Sequence, residues 1–188
     1  MKKICLFIIL MCVIITASAQ SHFRFMGIPI DGRIEKFEDE LSKRGFERVD
    51  RQEEIIVLKG EFTRRDVAVW VVGTILSYTT WKVAVKFKPT NSWFDLKNDY
   101  LKYVNLLTKK YGEPNYRYEK FIDYREGDGE EIRNVLMDRC RFCSFWELDG
   151  GVITTKISKF GYLEIDYEDT INTKVKEEEE DINDNLDI

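Results

Sequence analysis

Trp81-Lys82-Val83-Ala84-Val85-Lys86-Phe87-Lys88 reads as a single β-strand with one dry side and one wet side. Trp81, Val83, Val85 and Phe87 alternate strictly with Lys82, Ala84, Lys86 and Lys88, and successive strand side chains point to opposite faces. A sheet buried on one face and solvated on the other is characteristically antiparallel. Upstream, apolar runs at residues 55–58 and 67–72 supply two more strands, and residues 46–49 a short one.

A helix precedes this group. Gly27-Ile28-Pro29-Ile30-Asp31-Gly32 is turn-forming, and Asp31 is placed to accept a hydrogen bond from an open helix N-terminus. Ile34, Phe37 and Leu41 then make one apolar stripe, and Gly45 tolerates the left-handed conformation that stops a helix. Downstream, Ser92 and Asp95 have the spacing of a capping box. Trp93, Leu96, Tyr100, Val104 and Leu107 form the stripe of a second helix, which Gly112 and Pro114 end. Strand runs follow at residues 116–124, 132–148, 152–157 and 163–167. Glycine-rich links at 127–129, 149–151 and 159–161 favour hairpins between them. In the last run Leu163, Ile165 and Tyr167 point one way, and Glu164, Asp166 and Glu168 the other, as a solvated polar face.

The pattern of a helix followed by about four strands thus occurs twice, over residues 25–90 and 91–170. Leu41-Ser42-Lys43-Arg44 and Leu107-Thr108-Lys109-Lys110 close the two helices alike. The expected fold is α+β: a curved antiparallel sheet from two tandem helix-plus-four-strand units, both helices packed on one face. This organisation resembles the beta-lactamase inhibitor protein-like architecture. The stretch from Gly27 to Gly32 and the acidic close from Asp181 to Ile188 are also similar to small signal-peptide-bearing proteins of unknown function from Gram-negative bacteria. The resemblance implies the fold and, for the inhibitor-like architecture, protein partners, without identifying one.

Residues 1–19 are expected to be an address. Lys2 and Lys3 precede an apolar run over residues 4–16, and Ala17-Ser18-Ala19 fits a signal peptidase site, with cleavage after Ala19. The run is shorter than the roughly 20 residues of a spanning helix. Cys12 lies inside the apolar run and follows Met11, which is not the setting of a lipidated cysteine. The expectation is therefore one periplasmic or secreted domain over residues 20–173, with no stable membrane anchor after cleavage. Residues 174–188 carry seven acids and two lysines and are expected to be a solvated, partly disordered acidic tail. Asp181, Asn183, Asn185 and Asp187 alternate as in a calcium loop, but no Gly occupies the turn position and no closing Glu follows. Without tail and signal the body is nearly neutral, with no electrostatic footprint for nucleic acid.

Catalytic signals are sparse. The one histidine, His22, lies near the expected mature N-terminus and reads as exposed and idle. One His and the two cysteines beyond the signal are too few for an ordinary zinc site, and no phosphate-cradling glycine motif is present. No catalytic, cofactor-binding or metal residues are assigned. Cys140 and Cys143 are a possible disulfide, a pair of unpaired thiols, or a redox pair. In a straight strand residues three apart are about 10 Å apart on opposite faces, whereas a disulfide needs Cα atoms within about 7 Å. Trp70, Tyr78, Tyr116, Tyr118, Tyr124 and Trp146 are candidate partner-contact residues, because such rings bury much area for few frozen torsions. The leading expectation is a non-enzymatic exported binding module for a protein or peptide of the cell envelope. A small envelope enzyme, either an acid-pair hydrolase or a thiol oxidoreductase, and an assembly role at the outer membrane are the alternatives.

Overall fold

The computed structural model describes residues 21–186; the signal segment with Ala19 and Cys12, and the last two residues, lie outside the described residues. The chain is α+β. Strands β1 (Arg24–Phe25) and β2 (Ile28–Pro29) form a small hairpin, followed by helix α1 (Ile34–Ser42). Four strands come next: β3 (Glu47–Gln52), β4 (Ile55–Phe62), β5 (Arg65–Gly73) and β6 (Thr80–Phe87). Helix α2 (Trp93–Tyr111) leads to β7 (Tyr116–Phe121), a short helix α3 (Glu131–Leu136), β8 (Cys140–Leu148), β9 (Gly151–Ile157) and β10 (Leu163–Asp169). Helix α4 (Thr170–Leu186) closes the described chain.

The eight long strands form one antiparallel sheet in the order β3-β4-β5-β6-β10-β9-β8-β7. Each meander therefore places its last strand at the centre and its first at an edge. Period-two burial sends Ile56, Leu58, Val69, Val71, Val83, Val85, Ile165, Ile153 and Trp146 to one face. There they join Ile34, Phe37 and Leu41 of α1 and Leu96, Tyr100, Val104 and Leu107 of α2 in a continuous core. Tyr100 reaches through this core to share a 2.7 Å hydrogen bond with the buried Ser144 hydroxyl, which satisfies both groups.

The N-terminal segment lies across the β8–β9 turn, and glycine is what permits the approach. A Cβ on Gly150 would sit 2.3 Å from the Ser21 carbonyl oxygen, and one on Gly151 would strike the Phe23 ring and the Glu168 carbonyl oxygen. Asp169, fully buried, accepts from Phe23 N at 2.6 Å and Asn172 N at 2.8 Å. Asn172 in turn donates its amide to the carbonyls of Ile30 and Thr80. Phe23, the Ile30 carbonyl, the start of β6 and the start of α4 are thereby tied at one point.

Several local expectations change. Residues 132–148 are not one strand: residues 131–136 form α3, with Glu131, Asn134 and Val135 on its buried side and Gly127 N bonded to Glu131 Oε1. Asp138, at φ 57°, then turns the chain into β8. The strand expected to reach residue 124 ends at Phe121. Asp31 is not the cap of α1; Arg33 is, without a side-chain bond, whereas Ser92 caps α2 by accepting from Asp95 N. The expected disordered tail from residue 174 belongs instead to α4 as far as residue 186. That helix is held by the Glu179 carboxylate, which accepts from Leu76 N at 2.7 Å and from Ser77 N in the β5–β6 turn.

Trp146, expected at the surface, is 1% exposed, and its indole N–H donates to the Gly112 carbonyl at 2.9 Å. Inward strand positions of β8 decide its side, and its ring packs where α2 ends. Trp146→Ala is expected to lower unfolding free energy by about 3–5 kcal/mol in urea denaturation. A loss below about 1 kcal/mol would mean that this ring is not in the core.

Candidate functional site

Helices α1 and α2 cover one face of the sheet, and its other face is built from the opposite strand positions. In the centre Lys82 and Lys86 of β6 stand directly across from Glu168 and Glu164 of β10. Lys156 of β9 stands across from Glu164 on the other side. Asp166 lies in the middle and accepts ammonium contacts from Lys82 at 3.1 Å and Lys156 at 2.8 Å. Lys156 also meets Glu164 at 3.3 Å, and Lys82 meets Glu168 at 3.0 Å. These acids are not simply solvated: Asp166 is 2% and Glu164 8% exposed. Lys82 and Lys156 are themselves largely covered, and their charged ends pair with these acids.

Environment separates the two acids. Burial alone would raise Asp166, but the charges and hydrogen bonds of Lys82 and Lys156 outweigh it and hold its carboxyl below the ordinary range. Glu164 goes the other way, pushed up first by burial and then by the neighbouring Asp166 charge. Burial opposes the charge on Lys82 and Lys156 as well, yet their acidic partners keep both ammonium groups protonated. Lys86 makes no ion pair within 4 Å among the described residues. Its ammonium sits 3.3 Å from the centre of the Trp70 ring, and burial lowers its pKa.

Two depressions mark this face. One of about 700 Å³ is lined by Glu47, Lys59, Ala68, Trp70, Lys86 and Tyr162. Its neighbour of about 390 Å³ includes Cys143, Lys156, Phe160 and Glu164 and shares Lys86 and Tyr162 with it. At the far edge Tyr116 and Tyr118 of β7 stack with ring centres 6.1 Å apart, and Tyr116 packs on Phe145 of β8. Trp70 and Tyr118 stand five strand spacings apart, about 24 Å. A separate cavity of about 720 Å³ lies on the helix side, where Phe62, Tyr103, Leu107 and Tyr167 meet the N-terminal segment.

Of the six aromatic candidates the sheet brings Trp70, Tyr116 and Tyr118 onto this open face. Tyr78 sits in the β5–β6 turn beneath the Arg33 guanidinium, 5.2 Å from the ring centre. Tyr124 lies between β7 and α3, packed edge-on to Phe121 and hydrogen-bonded to Asp128. Trp146 is in the core, as described above. The lysines of β6 and the acids of β10, expected to be solvated strand faces, instead pair with one another. The usable signal was lysines alternating along β6 and acids alternating along β10, a match that matters only once the two strands are known to be neighbours.

The thiols lie on opposite faces of β8 and are unbonded: Cys140 is buried in the core and Cys143 half-buried on the open face. Burial pushes Cys140 up to about 12 and Cys143 also upward, the reverse of an activated thiolate. His22 is not idle. It is half-buried, with Nδ1 3.2 Å from Asp169 Oδ1 and Nε2 3.5 Å from Asp31 Oδ1, and it helps hold residues 21–23 against the start of α4. Among the described residues no helix is long and apolar enough to cross a membrane, which does not bear on strands. No protein-family model, curated protein or solved structure matches this chain.

Because Asp166 has a depressed folded value, its stabilisation is complete above its ordinary value of 3.8 and is lost as pH falls through the lower folded value. Glu164 has the opposite linkage: its raised value costs stability near neutrality, and the cost is relieved as pH falls toward 4.5. Asp166→Asn is expected to destabilise by about 2 kcal/mol at neutral pH, leaving two half-covered lysines without their shared partner. The gap from the wild type should narrow as unfolding is followed below pH 3.8. A gap independent of pH would refute the ionised pairing.

Proposed function

We propose that this chain is an exported, non-enzymatic binding module that recognises a protein or peptide partner in the cell envelope through the open face of its sheet. The observation that carries this reading is the composition of that face. Trp70, Tyr116, Tyr118, Phe145 and Tyr162 are set around a central lattice of paired lysines and acids, with shallow depressions between them. Rings of this kind at an interface supply most of the contact energy, and a fixed charge lattice selects complementary partners more than it adds affinity. Export rests on the signal-like residues 1–19. An N-terminus anchored at Asp169 is compatible with removal of everything before Gln20.

The same reading takes the domain as two helix-plus-meander units in tandem, with the sheet curved so that the open face is concave. The mirror order of the strands about the β6–β10 junction supports the tandem arrangement. An enzymatic role is less favoured. Both ammonium groups meet Asp166 at Oδ2, and its Oδ1, though unpartnered, is buried beneath the face rather than presented to a substrate; neither thiol is activated.

The test is capture from envelope extract by the immobilised mature chain, followed by affinity measurement on the captured protein or peptide. Trp70→Ala and Tyr118→Ala are each expected to weaken binding by about 2 kcal/mol, roughly thirtyfold. Unaltered affinity in both variants would place the partner site elsewhere.

A further inference from the structure

The sheet has two free edges, and they are built differently. Edge strand β3 is interrupted: its register against β4 shifts between Arg48 and Asp50, so Val49 is an extra residue. Arg48 and Arg51 are also engaged by Glu38 and Glu35 of α1. A bulge at an edge spoils the regular row of donors and acceptors that another strand would need. Edge strand β7 has no such guard. All six of its residues pair with β8 in unbroken register, and Tyr116, Arg117, Glu119 and Lys120 are exposed. It contains no proline and leaves a straight row of backbone groups without a strand beside it.

We infer that β7 is a self-association edge, on which a second copy of this chain adds its own β7 antiparallel to make one continuous sixteen-stranded sheet. The occupant follows from charge. A two-fold axis normal to the sheet keeps like faces together, so residues of the same parity oppose one another across the junction. Centred on Arg117 or Glu119, the axis sets a like charge against itself. Centred on Tyr118, it sets Arg117 against Glu119 of the second copy twice over, Tyr118 against Tyr118, and Tyr116 against Lys120. Opposite charges and aromatic pairs directly across strands are favourable, and like charges are not. Within one copy Arg117 and Glu119 already lie 2.6 Å apart on one side of the strand, so the exchange of partners needs only side-chain rotation. Tyr116 and Tyr118 point to the open face with Phe145 and Cys143, and the pair of copies would carry a four-tyrosine strip at the middle of a doubled face. This inference rests on the edge alone and is independent of the envelope partner proposed above.

A two-strand junction is small, so the dissociation constant is expected in the range of about 10–100 µM. Sedimentation equilibrium of the mature chain should show a concentration-dependent doubling of mass. Arg117→Glu alone and Glu119→Arg alone each set like charges across the junction and should weaken the dimer about tenfold or more. An equimolar mixture of the two variants restores Arg–Glu pairing only between copies, because each variant keeps like charges within its own strand. The mixture should therefore recover the dimer. Wild-type chain that stays monomeric above about 100 µM overturns the inference, including the case in which β7 takes a strand from a different protein. Single variants that dimerise like the wild type, or a mixture that stays monomeric, overturn the register.

Discussion

The antiparallel pairing of β6 with β10 is the contact on which the rest of the molecule depends. It joins residues 86 apart in sequence, as the Lys82–Glu168 pair records, and among the described residues it is the only strand junction between the two meanders. Five residue pairs make it. On the helix side Val83, Val85 and Ile165 are fully buried and Tyr167 nearly so, worth about 1.5–3 kcal/mol each. That burial offsets the entropy of closing so long a loop, which is on the order of a few kcal/mol and grows slowly with length. On the other side Lys82 and Lys86 oppose Glu168 and Glu164, with Asp166 between. A slip of one residue would turn these charges into the core and the valines into water, so the two faces together fix a single register.

This junction is also the floor of the candidate binding face. The charges that fix register are the ones left between the aromatic residues, and the acids among them are nearly buried and already paired. Pre-set charges of this kind favour selectivity, since a partner must match an arrangement that does not rearrange to suit it. The N-terminus and α4 brace the same strands from one end. Asp169 and Asn172 tie Phe23, Ile30 and Thr80 to the last residue of β10 and the first turn of α4.

Much of the fold was legible because local patterning and tertiary packing agree. The alternation of Val83, Val85 and Phe87 in β6 and of Leu163, Ile165 and Tyr167 in β10, the stripes of α1 and α2, and the Ser92 cap keep their meaning in the core, whereas Trp81, beside a register shift, is only half-buried and Glu164 and Asp166 of β10 are buried rather than solvated. Misreadings arose where tertiary contacts decide. Residues 131–136 are apolar enough to pass for a strand and become a helix through Glu131 bonding back to Gly127. Acidic residues 177–180 look like a solvated tail until Glu179 finds the amides of the β5–β6 turn, far away in sequence. Trp146 and Phe145 are adjacent, and only strand register decides which one is inside. The candidate site is partly legible, since Trp70, Tyr116 and Tyr118 stand out in the sequence as rings suited to partner contact. The lattice of lysines and acids was not, because it exists only when β6, β10 and β9 lie side by side.

The most direct measurement is native-state amide hydrogen exchange resolved by strand. If the β6–β10 pairing holds the two meanders in one cooperative unit, amides of Val83, Val85, Ile165 and Tyr167 exchange last and at a common rate, while β3 and β7 exchange earlier. Central amides that exchange as fast as those of the edges, with each meander opening on its own, would contradict this account.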